Sequence, residues 1–318
     1  MVKIVALDGY TLNPGDLTWE GIGMLGDLEV YNRSTIPQAQ NRVANTDVII
    51  VNKFIVDKAL LEYCDNLKLV CVSATGYNNV DIKACNERNI QVCNVSNYST
   101  TGVAQHTFAM LLHWLNQVGK HNNLVKKGYW SICPDFSFTA SPIQELSGKT
   151  FGILGYGDIG KRVALIAKAF DMDVIVCRKS DKRIDEDGIQ KVDLDTLFKQ
   201  SDYLSLHANL DDSTHEIINK MSLAKMKKSS ILINTSRGGL INELDLAECL
   251  IEENISAALL DVLKEEPAPL NHPFYQIRTC KITPHLAWAS VQSRARLMKS
   301  VEENISGFLN GNPKNIIN

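Results

Sequence analysis

One segment of this 318-residue chain restricts its fold more than any other. Residues 151–160 form an apolar run that continues into the pattern Gly-x-Gly-x-x-Gly. Residues 161–170 then place apolar side chains on one helical face, and a second apolar run follows at 173–177. A strand, a glycine turn, a helix and a second strand in this order predict a βαβ unit that binds a dinucleotide, with the pyrophosphate at the start of the helix. The alternative is a glycine-rich turn without a ligand.

The residue that follows the second predicted strand bears on which dinucleotide is bound. That residue is Arg178, and Lys179 comes next. NAD-binding units commonly carry a carboxylate here, which accepts from the ribose 2′-hydroxyl, whereas a cationic pair suits a 2′-phosphate. We therefore expect NAD(H) or NADP(H) as cofactor and favour NADP(H) on account of Arg178. The alternative is a solvated arginine in an enzyme that uses NAD(H) through other ribose contacts.

Apolar runs alternate with helical periodicity along most of the chain. Runs at residues 4–7, 48–51, 69–72 and 90–93 predict one series of buried strands, with helices at 57–64 and 80–88 between them. A second series follows at 150–154, 174–177, 203–207, 231–234, 257–262 and 282–283. One helix is predicted over 101–127, a loop over 131–147 and a last helix over 290–309. Continuous apolar strands between helices indicate parallel sheets covered on both faces, so we predict an α/β fold with two doubly wound domains.

Composition excludes several classes of protein. The net charge is −3, and 45% of residues are hydrophobic and 22% charged, which is typical of a globular chain and argues against nucleic-acid binding. No apolar stretch approaches the roughly 20 residues of a membrane span, and residues 1–8 do not resemble a signal peptide. The eight cysteines form no C-x-x-C pair and no Cys/His metal spacing. We expect reduced structural thiols, a cytoplasmic protein and no metal site.

Polar groups follow three predicted strands of the second series. Arg237 lies in the segment Asn-Thr-Ser-Arg-Gly-Gly, Glu266 precedes Pro267, and His285 ends the segment Thr-Pro-His. The carboxyl ends of parallel strands meet at one edge of a sheet, where open α/β sheets bind ligands. An arginine suits a carboxylate ligand, and an imidazole next to a carboxylate suits proton transfer. Arg237 as a structural cap and Glu266 as a partner of Lys264 are the alternatives.

These motifs, in this order and spacing, resemble the D-isomer-specific 2-hydroxyacid dehydrogenases over essentially the whole chain. Segments 134–136 and 142–146 look most like the glycerate dehydrogenases, also called hydroxypyruvate reductases. The resemblance implies a Rossmann dinucleotide-binding domain, residues 99–287, inserted into a flavodoxin-like substrate domain, residues 1–98 and 288–318. It also implies a homodimer, for which the apolar helix from Thr101 is a candidate interface.

The resemblance further implies a hydride transfer between the nicotinamide cofactor and a small 2-oxoacid or D-2-hydroxyacid anion, with hydroxypyruvate or glyoxylate as the favoured 2-oxoacid. His285 is then the general acid in reduction and the general base in oxidation. Glu266 hydrogen-bonds to His285 and favours the imidazolium, and Arg237 binds the substrate carboxylate and polarises the keto oxygen. The alternatives are a dehydrogenase of a larger D-2-hydroxyacid and an NAD(H)-sensing binding protein similar to the corepressors that share the fold.

The remaining site residues also come from the resemblance. Substrate contacts besides Arg237 and His285 are expected from Asn52, Lys53, Ala74, Thr75 and Gly76, with the N–H groups of Thr75 and Gly76 facing the substrate. Cofactor contacts are expected from Gly155, Tyr156, Gly157, Asp158, Ile159, Gly160, Arg178, Lys179, Val103, His207, Asn209, Thr235, Ser236, Asp261 and Ala287. The histidines at 106, 113, 121, 215 and 272 lack such company and are interpreted as helix-face or surface residues.

Overall fold

The computed structural model describes residues 1–179 and 186–318, and it divides the chain into two compact units. Unit 1 comprises Met1–Ser99 and Ala289–Asn318, and unit 2 comprises Thr100–Trp288. The second unit is thus inserted into the first. The domain boundaries expected from the sequence lie one residue earlier at each crossing.

The strands, in chain order, are β1 (Lys3–Ala6), β2 (Asp27–Val30), β3 (Val48–Val51), β4 (Leu69–Val72), β5 (Gln91–Cys93), β6 (Thr150–Leu154), β7 (Asp173–Cys177), β8 (Ile189–Lys191), β9 (Tyr203–Leu206), β10 (Ile231–Asn234), β11 (Ala257–Leu260) and β12 (Cys280–Ile282). The helices are α1 (Glu20–Gly23), α2 (Ile36–Val43), α3 (Lys58–Leu61), α4 (Ile82–Glu87), α5 (Thr100–Asn116), α6 (Val118–Lys126), α7 (Asp158–Ala169), α8 (Leu194–Gln200), α9 (Lys220–Leu223), α10 (Glu243–Ile251) and α11 (Val291–Leu309). Gly238–Leu240 and Pro273–Gln276 form short 3₁₀ turns.

Unit 1 is built on a five-stranded parallel sheet in the order β2-β1-β3-β4-β5. Both central strands, β3 and β4, are buried at every position, as expected for strands covered on two faces. The order reverses between β1 and β3, so the crevice at the carboxyl ends of these strands is the natural ligand position of this sheet. The last residues of the chain complete the unit, since the Ile317 N–H donates to Val92 O and α11 buries Leu297 and Val301.

Unit 2 is built on a seven-stranded parallel sheet in the order β12-β11-β10-β9-β6-β7-β8. This is the Rossmann order, extended by one strand, and the order reverses between β6 and β9. Separate apolar cores cover the two faces, one against α5 and α7 and the other against α8, α9 and α10. The predicted fold class, two doubly wound parallel sheets, is confirmed.

The helix predicted over residues 101–127 is two helices. Gln117 adopts a left-handed backbone with φ of 50°, and this residue separates α5 from α6. The apolar face of α5 packs inside unit 2, where Phe108 stacks on Phe151 at 5.4 Å between ring centroids. This face of α5 is therefore covered within its own unit, and the helix as a dimer interface stays a prediction. Within the described residues, no helix has the length and apolar character that a membrane span requires.

Candidate active site

The glycine turn after β6 is tight at two of its glycines and open at the third. Gly155 has φ of 93°, and a Cβ there would stand 2.5 Å from the backbone of Ala208. A Cβ on Gly160 would stand 2.3 Å from Gly155 O. By contrast, a Cβ on Gly157, the N-cap residue of α7, would meet no atom of the described residues within 4 Å. The turn thus leaves open space against a helix N-terminus without a side-chain cap, which fits a pyrophosphate.

The predicted contacts around this turn differ in exposure. Tyr156 is buried, Ile159 is half-buried, and Asp158 is exposed in the first turn of α7. Burial raises the pKa of the Tyr156 hydroxyl, and the nearby Glu186 carboxylate raises it further. The phenol therefore stays neutral at physiological pH.

The two cations after β7 are not equivalent. Lys179 Nζ contacts both carboxylate oxygens of Asp211, at 2.7 and 2.8 Å, and this ion pair holds the pKa of Asp211 well below its usual range. Arg178 is half-buried at the end of the strand. Of the predicted cationic pair, Lys179 is therefore already engaged by a carboxylate of its own unit.

The segment after β9 faces the same glycine turn. The His207 N–H donates to Leu154 O at 2.7 Å, and the His207 Nε2 atom lies 2.8 Å from the Ser205 hydroxyl. Burial of the imidazole lowers the pKa of His207 to about 4, so the ring is neutral near pH 7. Asn209 is exposed, and its carbonyl accepts from the Thr214 hydroxyl at 2.6 Å.

The turn that follows β10 carries Arg237. Asn234 fixes this turn, since its Nδ2 donates to Arg237 O at 2.9 Å and its Oδ1 accepts from Ser236 N at 3.0 Å. Gly238 permits a close approach to the next strand end, because a Cβ there would stand 2.0 Å from the Leu263 carbonyl carbon. The Arg237 guanidinium is half-buried and donates to Ser236 O at 2.8 Å.

The other predicted residues of this region pack where α5 meets β10. Thr235 is 7% exposed, and its hydroxyl lies 3.3 Å from the Thr107 hydroxyl. Thr107 in turn donates to Val103 O at 2.9 Å, and Ser236 Oγ donates to Ala208 O at 2.8 Å. Val103, Thr235 and Ser236 therefore lie near the carboxyl end of β10 in the seven-stranded sheet.

His285 and Glu266 form a pair at the ends of β12 and β11. His285 Nδ1 lies 2.6 Å from Glu266 Oε2, and Glu266 Oε1 accepts from Leu263 N at 3.1 Å. The Lys264 ammonium instead pairs with Glu216 at 3.0 Å. Because Nδ1 faces the carboxylate, Nε2 is the ring nitrogen available for proton exchange with a ligand.

The backbone of His285 is held in an unusual conformation. Its φ is 50°, in the left-handed region that side chains rarely adopt, and its N–H donates to Asp261 O at 2.8 Å and Thr283 O at 2.9 Å. The Asp261 carboxylate also accepts from Leu286 N at 2.9 Å and from Ala287 N at 2.8 Å. Asp261 and Ala287, both predicted cofactor contacts, therefore also hold the loop that carries His285.

His272 departs from the helix-face or surface interpretation, and His106 lies on a helix face but has partners there. His106 lies on α5 with Nε2 3.0 Å from Thr283 Oγ1, so it belongs to the His285 loop. His272 is 6% exposed and lies 3.2 Å from the Glu243 carboxylate, while its Nδ1 accepts from Phe274 N. His113 and His215 are exposed, and His121 is half-buried. The signal that reveals His106 is its helical spacing, because it shares a face with the buried Val103 and Met110.

Asn52 and Lys53, two of the predicted substrate residues of unit 1, are held by a carboxylate that sequence reasoning missed. Asp8, which follows β1, accepts the N–H groups of Asn52, Lys53 and Phe54 at 2.8, 2.6 and 2.8 Å. These three residues follow β3, so the Asp8 carboxylate connects the ends of β1 and β3, the two strands between which the strand order reverses. Its position at a strand end was the available signal. Asn52 is 3% exposed; its Nδ2 donates to Ser73 O at 2.6 Å, and its Oδ1 has no hydrogen-bond partner.

The loop after β4 presents its N–H groups on one side. Ala74 O accepts from Val95 N at 3.1 Å, and Thr75 O accepts from Asn94 Nδ2 at 2.8 Å. In a trans peptide the N–H points opposite to the carbonyl, so the N–H groups of Thr75 and Gly76 face away from residues 94–95. That orientation would suit an anion that accepts these N–H groups, and the substrate contact stays a prediction.

Most of the cysteine thiols are buried. All eight cysteines are free, and six of them are buried. Burial raises the pKa of Cys64 and of Cys280 to about 12, which keeps both thiols protonated. Within residues 1–179 and 186–318, no group of three or more His, Cys, Asp or Glu side chains is arranged to hold a metal ion.

A Rossmann unit with an arginine, a carboxylate and an imidazole on three adjacent strand ends defines a dinucleotide-dependent dehydrogenase. Residues 108–287 match the family model described as D-isomer specific 2-hydroxyacid dehydrogenase, NAD binding domain. The chain belongs to the family of D-isomer specific 2-hydroxyacid dehydrogenases.

Individual relatives agree with this family. The chain is 40% identical to a hydroxypyruvate reductase of Blautia hydrogenotrophica over 100% of both chains. It is 32% identical to a glycerate dehydrogenase of Methylorubrum extorquens over 99% of this chain and 98% of that protein. Among solved structures, the acyclic imino acid reductase Bsp5 in complex with NADPH and D-Arg is 32% identical, with a TM-score of 0.81 over 99% of this chain and 100% of that one.

Proposed function

We propose that this enzyme reduces hydroxypyruvate or glyoxylate to the corresponding 2-hydroxyacid, with the D configuration where C2 is chiral, using NAD(P)H. The His285–Glu266 pair, at 2.6 Å on the edge of the Rossmann sheet, is the observation that carries the proposal. The similarity to a hydroxypyruvate reductase and a glycerate dehydrogenase supports the choice of substrate.

In the proposed mechanism, His285 Nε2 donates a proton to the C2 oxygen of the substrate. A nicotinamide cofactor held along the glycine turn would supply the hydride for C2. One proton and one hydride convert the keto group to an alcohol, and the oxidised cofactor and neutral imidazole remain. Glu266 holds the ring through Nδ1 and stabilises its cationic form before transfer. Arg237 binds the substrate carboxylate, and its charge draws electron density from the carbonyl.

Substitution of His285 tests this assignment. His285→Asn suits the left-handed backbone, because asparagine adopts that conformation more readily than most residues. We expect kcat to fall by about 10³-fold, within the usual range for a lost acid catalyst, while NAD(P)H still binds. Glu265→Gln, at the exposed neighbour of Glu266, is the matched control and should leave turnover unchanged. Undiminished turnover of His285→Asn would refute the role.

The nucleotide is proposed to bind along the glycine turn, with its pyrophosphate over Gly157. The supporting observation is the open space at this residue. Gly157→Ala should fold normally and weaken NAD(P)H binding at least tenfold, because the methyl group would occupy that space. Gly119→Ala, in helix α6, where a Cβ also meets no described atom within 4 Å, is the control and should leave the affinity for NADPH unchanged. Fluorescence titration with NADPH measures the affinity of both variants.

NADP(H) is proposed as the preferred cofactor, with Arg178 as the residue that binds the 2′-phosphate. Asp211 already neutralises Lys179, which leaves Arg178 as the better candidate of the pair. Arg178→Ala should raise the KM for NADPH about tenfold and change the KM for NADH less than twofold. A wild-type preference for NADH would overturn the cofactor choice.

Asn52, Lys53, Ala74, Thr75 and Gly76 are proposed to bind the substrate anion from unit 1. The outward N–H groups of the loop after β4 support this role. Lys53→Ala should raise the KM for the 2-oxoacid several-fold and leave the KM for the cofactor unchanged.

A panel of 2-oxoacids identifies the substrate. NAD(P)H oxidation is followed with hydroxypyruvate, glyoxylate, pyruvate and phenylpyruvate, each with and without an amine. Higher kcat/KM with phenylpyruvate would favour a dehydrogenase of larger hydroxyacids. Turnover only with added amine would favour imine reduction, and no turnover at all would favour a sensing role.

A homodimer is proposed, with segment 118–143 of unit 2 as the interface. This segment exposes large apolar side chains, including Ile132 at 81% and Phe136 at 90%. Sedimentation velocity should show a dimer that Ile132→Ser/Phe136→Ser weakens.

A cytoplasmic location is proposed as well. The eight free thiols support such a reducing location.

A further inference from the structure

We infer that His106 is a positioning residue for His285 and acts through Thr283 and Asp261. This inference rests on the proposed role of His285 in proton transfer. His106 lies on α5, and its Nε2 is 3.0 Å from Thr283 Oγ1 and 3.4 Å from Asp261 Oδ1. Its side chain is 17% exposed, and that of Asp261 is fully buried.

The hydrogen-bond geometry fixes the direction of each bond. Thr283 Oγ1 lies 2.6 Å from Asp261 Oδ1, and an ionised carboxylate only accepts, so the threonine hydroxyl donates to Asp261. A hydroxyl has one proton, so Thr283 must accept from His106. The Nε2 atom of His106 therefore carries a proton, which it shares between Thr283 and Asp261.

Asp261 stays ionised although it is buried. Burial by itself raises the pKa of this carboxyl, but the hydrogen bonds from His106, Thr283 and the N–H groups of Leu286 and Ala287 outweigh it and lower the pKa. His106 is the donor that comes from a different element, α5. The His106 side chain thus connects α5 to the loop that carries His285.

The bonds to Asp261 lie on both sides of His285 in the chain. Thr283 precedes His285 by two residues, and Leu286 and Ala287 follow it directly. His285 itself has a left-handed backbone, a conformation that persists only where the surrounding structure enforces it. Loss of the His106 donor would weaken this enforcement, and a small displacement of a catalytic group costs a large factor in turnover.

Two substitutions of His106 distinguish a positioning role of its side chain from a packing role. His106→Gln places an amide N–H near the position of the imidazole Nε2, whereas His106→Leu fills similar space without a donor. We expect His106→Leu to lower kcat 10- to 100-fold, to change the KM for NAD(P)H less than twofold and to increase the solvent deuterium isotope effect on kcat. His106→Gln should stay within threefold of the wild type in kcat.

Amide hydrogen exchange gives a readout that does not depend on turnover. In the enzyme without substrate, His106→Leu should accelerate exchange at Leu286 and Ala287 about tenfold, and His106→Gln should not. His113→Leu, at an exposed position of the same helix, is the matched control and should leave both measurements unchanged. Thr283→Val should reproduce the effect of His106→Leu, and the double variant should be no worse than either single one.

Two outcomes would overturn the inference. One is equal loss of kcat in the Leu and Gln variants, which would make His106 a packing residue. The other is unchanged exchange at Leu286 and Ala287. If the wild type reduced no 2-oxoacid, the proposed function would fail, while the exchange data would still decide whether His106 holds the loop.

Discussion

Acidification from pH 7 to pH 5 should destabilise unit 2, with His207 contributing about 2 kcal/mol of the loss. Burial lowers the pKa of His207 from 6.5 to about 4 in the folded chain. As the pH falls, the unfolded chain therefore takes up a proton near pH 6.5, and the folded chain does so only near pH 4. The stabilisation is present above pH 6.5 and is lost progressively between these two values. The difference between the two pKa values of His207 corresponds to at most about 3 kcal/mol in the free energy of unfolding. About 2 kcal/mol of this is lost between pH 7 and pH 5.

Urea unfolding at both pH values measures this loss. Trp19→Phe serves as the background, because the other three tryptophans then report on residues 100–288 alone. His207→Gln retains an amide that can bond to Ser205 and removes the titrating ring, so its pH dependence should be about 2 kcal/mol smaller. His215→Gln, at an exposed histidine of the same unit, is the matched control. Equal pH dependence in His207→Gln and the wild type would refute the reasoning.

Three further predictions concern stability and reactivity. Gly238→Ala should lower kcat at least 100-fold and lower the melting temperature, measured by calorimetry, because the new Cβ would stand 2.0 Å from the Leu263 backbone. Asp8→Ala should lower the free energy of unfolding of unit 1 by about 3 kcal/mol, since three N–H groups lose a charged acceptor; an unchanged urea midpoint would contradict this. Cys64 and Cys280 should resist Ellman's reagent at pH 8 in the folded enzyme and react in urea, because their thiols have pKa values of about 12.

Buried strands and the glycine turn could be predicted because their signals are local. The predicted strands at 48–51, 69–72, 150–154 and 231–234 match β3, β4, β6 and β10 at both ends. Apart from Thr150 and Asn234 at strand ends, these strands consist of apolar residues and glycine, and nearly all of their residues are buried. The run at 257–262 extends beyond β11 because Asp261 and Val262 are also buried, although they lie outside the ladder.

The features that were missed depend on contacts distant in sequence. The break at Gln117 has no proline and no glycine at the residue itself, so periodicity alone continues the helix through it. The edge strand β2 is only partly buried, and its residues lack the apolar run that marks a central strand. The helical spacing of His106 and the strand-end position of Asp8 mark the two residues in the sequence, but their roles depend on partners 177 and 44 residues away.

The insertion of unit 2 has a consequence for the order in which the chain folds during synthesis. All residues of unit 2 have emerged once Trp288 leaves the ribosome, but unit 1 then still lacks α11 and the segment whose Ile317 bonds to Val92. The surface of β4 that packs against α11 therefore stays uncovered while residues 289–318 are translated. Unit 2 can therefore complete its fold before unit 1, although residues 1–99 of unit 1 are translated before unit 2.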